Sequence, residues 1–382
     1  MKLRLFYATN RRHRGDNRWA PDEYGAEFSS DGMENLRFGQ VTLEADSALV
    51  ERHLKRKKGA QTDVGDGEKL ADYLAKCCLK SSTIKAYHER IRSDIADAHQ
   101  PNAKFGSNSM FDDLRKVMLK RSDVLVYIHG FNVDWYQAVG GALSLQLMLN
   151  RQKYQGGKDV LVVLFTWPSD GQALPFVSYK SDRSEAKGSG YAFGRGLLKL
   201  RDFLAELKTD GARSGSPLCD QDLHLLCHSM GNYVLQNTLV RLRDFANGKN
   251  LPRLFSHIFL CAPDVDDDVL EAGKEMCDLH EIARSVTVYH NKGDMAMYVS
   301  DYTKGHPDRL GHEGAARPAQ LHRKAHQVDC AVLVGGLVEH SYYLWGPVNS
   351  DIRYSIDGIG HDDDTVRRRR LHVNYNNVWE LR

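Results

Sequence analysis

Six segments of the chain are apolar runs of strand length: DVLVYIHG (Asp123 to Gly130), DVLVVLFTWPS (Asp159 to Ser169), QDLHLLCHS (Gln221 to Ser229), SHIFLCAPD (Ser256 to Asp264), SVTVYHNKGD (Ser285 to Asp294) and VDCAVLVGG (Val328 to Gly336). Runs this short and this rich in Val, Leu and Ile predict strands buried on both faces. Between them Tyr136–Asn150, Ser181–Leu207 and the stretch MGNYVLQNTLVRLRDFA carry helical spacing, and DVDDDVLEAGKEM (Asp264 to Met276) reads as an acidic helix start. Strand and helix alternating five or more times predict right-handed crossovers and a doubly wound, mostly parallel α/β sheet with helices on both faces. Upstream, Leu3–Thr9 and Arg37–Ala45 have the alternation of half-buried strands, joined by a polar loop. From about Ser47 to Lys120 the chain becomes rich in Lys, Glu, Asp and Ala, and Leu70–Ile91 predicts one or two charged helices. The last 30 or so residues are polar and predict a surface segment.

The 382 residues, 42% of them hydrophobic, are enough for one large core or two modest ones. A net charge of +2 gives no reason to invoke nucleic acid. The basic clusters HLKRKK (His53 to Lys58) and RRRR (Arg367 to Arg370) are expected to be solvated faces. No window approaches the roughly 18 apolar residues of a membrane span, and the first residues lack the apolar stretch of a signal peptide. Seven cysteines without framework spacing fit reduced thiols. The expectation is a cytoplasmic protein.

The third apolar run stops on a hydroxyl, Ser229, flanked by Cys227 and Gly231, and turns directly into a helix. A strand-to-helix reversal this tight needs small residues two positions either side, because larger side chains would strike the neighbouring strand and helix. The usual form is G-x-S-x-G; cysteine replaces the first glycine here. A serine so placed is held above the sheet, and the following helix points its N-terminus at any anion formed there. A serine at a helix start is also an ordinary N-cap. The buried strand before it and the amphipathic helix after it favour a nucleophile.

A serine hydroxyl needs a base, and the base a carboxylate, arriving in this architecture in the order Ser, acid, His at the ends of later strands. Asp294 closes the fifth run, and His340 follows the sixth. Asp264, at the end of the fourth run, is the alternative acid. His228 is expected to pack rather than act as the base. The oxyanion formed on attack needs preorganised donors. One is the Met230 N–H; the second is expected from IHGFN (Ile128 to Asn132), where Gly130 lets the backbone present the N–H of Phe131.

HGFN, LFTWPSDG (Leu164 to Gly171), CHSMGNYVL, KGD and a late histidine together resemble the α/β-hydrolase-fold serine hydrolases. More narrowly they resemble the family of α/β hydrolases of unknown function. FYATNR (Phe6 to Arg11) and RFG (Arg37 to Gly39) are similar to that family's opening strands. The resemblance covers residues 120–345 and, less closely, 1–45. It implies Ser229 as nucleophile, Asp294 as acid, His340 as base, and Phe131 with Met230 as oxyanion donors. The expected organisation is one domain: N-terminal strands over 1–46, a helical insertion over about 47–120, a catalytic core over about 121–349, and a polar tail over about 350–382.

The leading expectation is a hydrolase of carboxylic esters or thioesters working through an acyl-enzyme, on a small-molecule substrate. An acyltransferase would share that intermediate, and a non-catalytic binding scaffold would share only the fold. Phe131, Trp135, Tyr136, Trp167, Pro168, Tyr342 and Tyr343 are expected around the serine as a pocket for an acyl or aromatic group. With no HExxH, paired CxxC, G-x-G-x-x-G or Walker sequence, neither a metal nor a nucleotide cofactor is expected. The histidine-rich stretch 305–327 reads as a mobile cap over the pocket.

Overall fold

The computed structural model describes residues 1–57, 64–89, 106–119, 122–169, 175–214, 221–246, 251, 253–297, 308–334 and 339–382. In chain order the elements are β1 (Lys2–Thr9), a hairpin of β2 (Arg11–Arg14) and β3 (Glu23–Phe28), β4 (Arg37–Glu44), α1 (Ser47–Lys55), α2 (Gly67–Ser81), β5 (Thr83–Ala86) and α3 (Gly106–Met118). There follow β6 (Ser122–Ile128), α4 (Trp135–Arg151), β7 (Asp159–Thr166), α5 (Pro175–Ser214), β8 (Leu223–His228), α6 (Gly231–Ala246) and β9 (Phe255–Cys261). The chain ends with α7 (Leu279–Ile282), β10 (Ala283–His290), α8 (Leu310–Glu313), β11 (Ala325–Asp329), α9 (Gly346–Ile356), β12 (Arg369–Leu371) and β13 (Val378–Leu381).

Eleven of these strands make one sheet in the order β12-β13-β11-β10-β9-β8-β6-β7-β1-β4-β5. It is parallel from β1 through to β13 and antiparallel only at its margins, where β4 pairs with β1, β5 with β4, and β12 with β13. The period-two alternation of a strand sends successive side chains to opposite faces. Leu125 and Tyr127 of β6 and Leu226 of β8 join α2, α4 and α9 in one core; Val124, Ile128, Leu225 and Cys227 join α3, α5 and α6 in the other. Both faces are covered, so the central strands read as unbroken apolar runs. This is the doubly wound, α/β-hydrolase-like sheet expected from the sequence. The strand β6 lies between β7 and β8, so the chain leaves it in opposite directions. In open parallel sheets, ligands collect at the carboxyl ends of strands flanking such a reversal.

Several local expectations are overturned. Residues 70–91 do not form only helix: α2 ends at Ser81 and β5 extends the sheet, while residues 90–91 lie outside the described part. The helix α2 packs closely on α4, where a Cβ added at Gly140 would strike the carbonyl oxygen of Ala71. The acidic stretch after β9 forms turns, because Arg309 draws on Asp264 and Asp266, and Lys274 pairs with Asp268. The sixth strand begins earlier than its apolar run, pairing Ala325 to Asp329 with Val286 to His290; the Asp329 carboxylate then accepts from Ala331 N–H and starts a turn. The C-terminal segment is partly interior: Arg367 and Arg369 are buried on the Asp351 carboxylate, so RRRR is only half a solvated face. The histidine-rich stretch contains α8 and the start of β11, with His306 and the Asp170–Gly171 turn outside the described residues. Among the described residues no helix is long and apolar enough to cross a membrane, and six cysteines are free thiols.

Candidate active site

Three residues other than glycine adopt positive φ among those described: Asn132 (58°), Ser229 (52°) and Ala262 (44°). Each lies just past the carboxyl end of a neighbouring strand, β6, β8 or β9. Strain of this kind persists only where the surroundings enforce it, and it gathers at functional sites. The Ser229 turn is held on several sides. Its N–H donates to the Cys261 carbonyl at 2.9 Å, and its own carbonyl accepts from Asp264 N–H at 3.2 Å. The buried Asn232 amide donates to the carbonyls of Cys227 (3.1 Å) and Ser229 (3.0 Å), tying the two sides of the turn together.

The small residues the turn requires are present for the reasons the sequence suggested. A Cβ at Gly231 would sit 2.6 Å from the Ile128 carbonyl oxygen and 2.7 Å from that of His129. Gly130 presses on the serine itself, where a Cβ would meet Ser229 Cβ at 2.8 Å. Cys227 is fully buried in the α5–α6 core, and its thiol is pushed up by burial, so it is a neutral packing group. The loop after β6 thus lies directly over the serine. Neither the Phe131 N–H nor the Met230 N–H donates a hydrogen bond to any described residue. Met230 is fully buried. Unpaired buried donors are costly unless something else receives their hydrogen bonds.

Asp294 and His340 meet. The His340 Nδ1 lies 2.7 Å from Asp294 Oδ2. A carboxylate only accepts, so Nδ1 carries the proton and Nε2 is left as the basic atom. Asp294 is fully buried, and its other oxygen accepts from the N–H groups of Ala296 (3.0 Å) and Met297 (3.3 Å). Desolvation lowers the His340 pKa; the charge and hydrogen bond of Asp294, with lesser help from Asp264 and Glu68, outweigh it and leave the ring above its ordinary value. Its side chain stays 21% exposed. The alternative acid, Asp264, is engaged elsewhere: it accepts from Tyr179 Oη at 2.7 Å and faces Arg309.

His228 joins the two halves. Its Nε2 donates to the His340 carbonyl at 3.2 Å, and its ring stands 4.7 Å from both the His340 and Tyr343 rings. Burial, and next the charge of His340, hold it well below its ordinary value, so it stays neutral. Ser229 Oγ makes no hydrogen bond among the described residues. Of the groups expected around the serine, Trp135, Trp167, Pro168, Tyr342 and Tyr343 are buried, the Tyr343 ring beside His228, whereas Phe131 and Tyr136 keep some exposure.

Sequence reasoning missed the buried polar support. Arg11, at the end of FYATNR, is 1% exposed and donates to Thr166 Oγ1 (2.8 Å) and to the carbonyls of Gly25, Ser169 and Val133. Burial lowers it to about 10, so it remains a cation at neutral pH. Asp182 on α5 accepts from Asn132 N–H at 3.1 Å and from Ser169 Oγ, bracing the strained residue beside Phe131.

A family model described as "Alpha/beta hydrolase of unknown function (DUF900)" matches residues 107–348. No curated protein matches the chain. Among solved structures, the crystal structure of Aspergillus fumigatus lipase B aligns with 12% identity and a TM-score of 0.35, covering 73% of this chain and 60% of that one. A hyperthermophilic esterase from the archaeon Pyrobaculum calidifontis aligns with 12% identity and a TM-score of 0.30, covering 63% of this chain and 77% of that one. This chain therefore spans about 60% of the lipase's length. By the match over most of its length, the chain belongs to the family of α/β hydrolases of unknown function.

Proposed function

We propose that this protein is a serine hydrolase that cleaves a carboxylic ester or thioester through an acyl-enzyme on Ser229. The observation that carries the reading is the His340–Asp294 pair, brought through His228 to the strained turn that bears the serine. In this reading Ser229 Oγ attacks the acyl carbon and its proton passes to His340 Nε2. In this reading the hydrogen bond from Oγ to Nε2 forms only when substrate seats, since catalytic hydrogen bonds are often long or absent before substrate binds. The Asp294 carboxylate holds the tautomer and stabilises the imidazolium. The oxyanion is received by the Phe131 and Met230 N–H groups at the N-terminus of α6. As the tetrahedral intermediate collapses, the C–O or C–S bond breaks and His340 returns the proton to the leaving alkoxide or thiolate. Water, deprotonated by the same imidazole, then releases the acid and frees the serine. Labelling with a fluorophosphonate and mapping the peptide tests this directly. The label is expected on Ser229, and Ser229→Ala is expected to lose both labelling and turnover of p-nitrophenyl esters with its melting temperature unchanged. Equal turnover by the variant, or a label elsewhere, ends the proposal.

A further inference from the structure

At the opposite end of the sheet from Ser229 lies a cavity of about 220 Å³ that the proposed chemistry does not use. It opens where β8, β9 and β10 begin, at Leu223, Phe255 and Arg284, about 20 Å along the strands from the serine. Its floor is apolar: Phe111 of α3 and Leu200 and Phe203 of α5 face Phe255, with the Phe111 and Phe203 rings 5.3 Å apart. Three arginines, Arg115, Arg253 and Arg284, line it as well. None of the three forms an ion pair or hydrogen bond with a described residue. The one carboxylate in the lining, Asp222, already accepts from Ser256 Oγ. The surplus positive charge is felt nearby: Lys324 is held below its ordinary value by burial first, then by Arg253 and Arg323.

We infer that this cavity is a binding site for an anionic amphiphile, a monocarboxylate with an alkyl or aryl tail of about eight carbons. The tail takes the aromatic floor; the whole cavity, at about 220 Å³, exceeds the roughly 150 Å³ apolar cavity known to hold benzene. The carboxylate takes the arginines, whose planar fork suits it in two-point contact. Both halves of the ligand are needed: an apolar molecule leaves the guanidinium charge unanswered, and a small anion leaves the floor wet. The site is independent of Ser229, because it stands at the other end of the strands.

Calorimetric titration of the full chain carrying Ser229→Ala tests this with octanoate, octanol and acetate as probes. Octanoate is expected to bind at least tenfold more tightly than either of the others, and more weakly as salt is raised. Arg253→Gln combined with Arg284→Gln changes two exposed side chains, so the fold is expected to hold. Octanoate affinity is expected to drop tenfold to a hundredfold, as loss of charged hydrogen bonds implies. The same pair of substitutions placed in the Ser229 protein is expected to leave ester turnover unchanged. Octanoate and octanol binding alike, octanoate not binding, or the double variant binding octanoate as its parent does would each overturn the inference. None of these outcomes bears on the acyl-enzyme reading.

Discussion

The His129 Nδ1 lies 2.8 Å from the carbonyl oxygen of Gly130. That carbonyl belongs to the same planar peptide as the Phe131 N–H, so the bond fixes the direction in which the proposed oxyanion donor points. The ring is itself held. Its Nε2 lies 2.9 Å from Thr166 Oγ1, which accepts from Arg11 Nε at 2.8 Å and so turns its own proton to the imidazole. Burial first, then the Arg11 charge, holds His129 well below its ordinary value and keeps it neutral. Thr166→Val removes the hydroxyl while keeping the shape. We expect kcat to fall about tenfold to a hundredfold with KM changed little, because a misdirected oxyanion donor is felt in the transition state alone. Steady-state kinetics with a matched thermal melt checks this; a parallel rise in KM with kcat intact would contradict the positioning role.

On the proposed mechanism the Asp294–His340 pair is expected to set the pH profile. The base works only when neutral, and its pKa lies above the ordinary histidine value, so kcat/KM is expected to fall as pH drops through that raised pKa. Asp294→Asn removes the charge that raises it. The acid limb then moves to lower pH, and the plateau falls by roughly 10⁴, the scale known for this substitution in a serine protease triad. A pH–rate profile of both proteins decides, and an unmoved limb would mean that another group controls it.

The serine turn was legible because its constraints are local: Gly231 and Gly130 must be small, and the strand before them is buried on both faces. For the same reason the central parallel strands could be read directly from apolar runs. The margins could not. The short strands β5 and β12 carry exposed residues and no apolar run; β5 finds its partner β4 about 40 residues back in sequence, and β12 reaches the sheet only by pairing with β13. Arg11, Asp182 and Arg367 escaped notice because charged residues are read as surface, and burial of a charge depends on acceptors that only folding brings near. The acidic stretch after β9 misled in the opposite sense: its carboxylates serve Arg309 and Lys274, not a helix N-terminus.

Gly231→Ala is expected to damage both folding and chemistry. The added methyl would come within 2.7 Å of two backbone oxygens, those of Ile128 and His129, and backbone cannot swing aside as a flexible side chain can. Relief requires moving the start of α6 away from the loop after β6, separating Met230 from Phe131. Overpacking of this kind costs about 1–3 kcal/mol. Denaturant unfolding should show a loss in that range, with turnover reduced further than the folded fraction explains. Wild-type stability would show that the turn is looser than the contacts indicate.

The protein should lose stability in mild acid through its buried histidines. His224 is fully buried, and neither ring nitrogen has a hydrogen-bond partner among the described residues. Its ring is stacked 5.6 Å from that of His257. Burial and then His257 hold His224 well below its ordinary value, while burial and then Arg367 lower His257 to about 4. The unfolded chain takes up these protons near pH 6.5, the folded chain only at much lower pH. Stability is therefore complete above about pH 6.5 and declines as pH falls towards 4, since the unfolded state binds more protons throughout that window. His257 alone accounts for on the order of 1–2 kcal/mol between pH 7 and pH 5. His224→Leu places an apolar side chain in the buried site and removes one titrating group without breaking a hydrogen bond among the described residues. Urea midpoints at pH 7 and pH 5 should show a smaller acid loss than in the parent, with stability at pH 7 equal or higher. If the variant loses as much between the two pH values as the parent does, His224 is not among the groups that make the fold acid-sensitive.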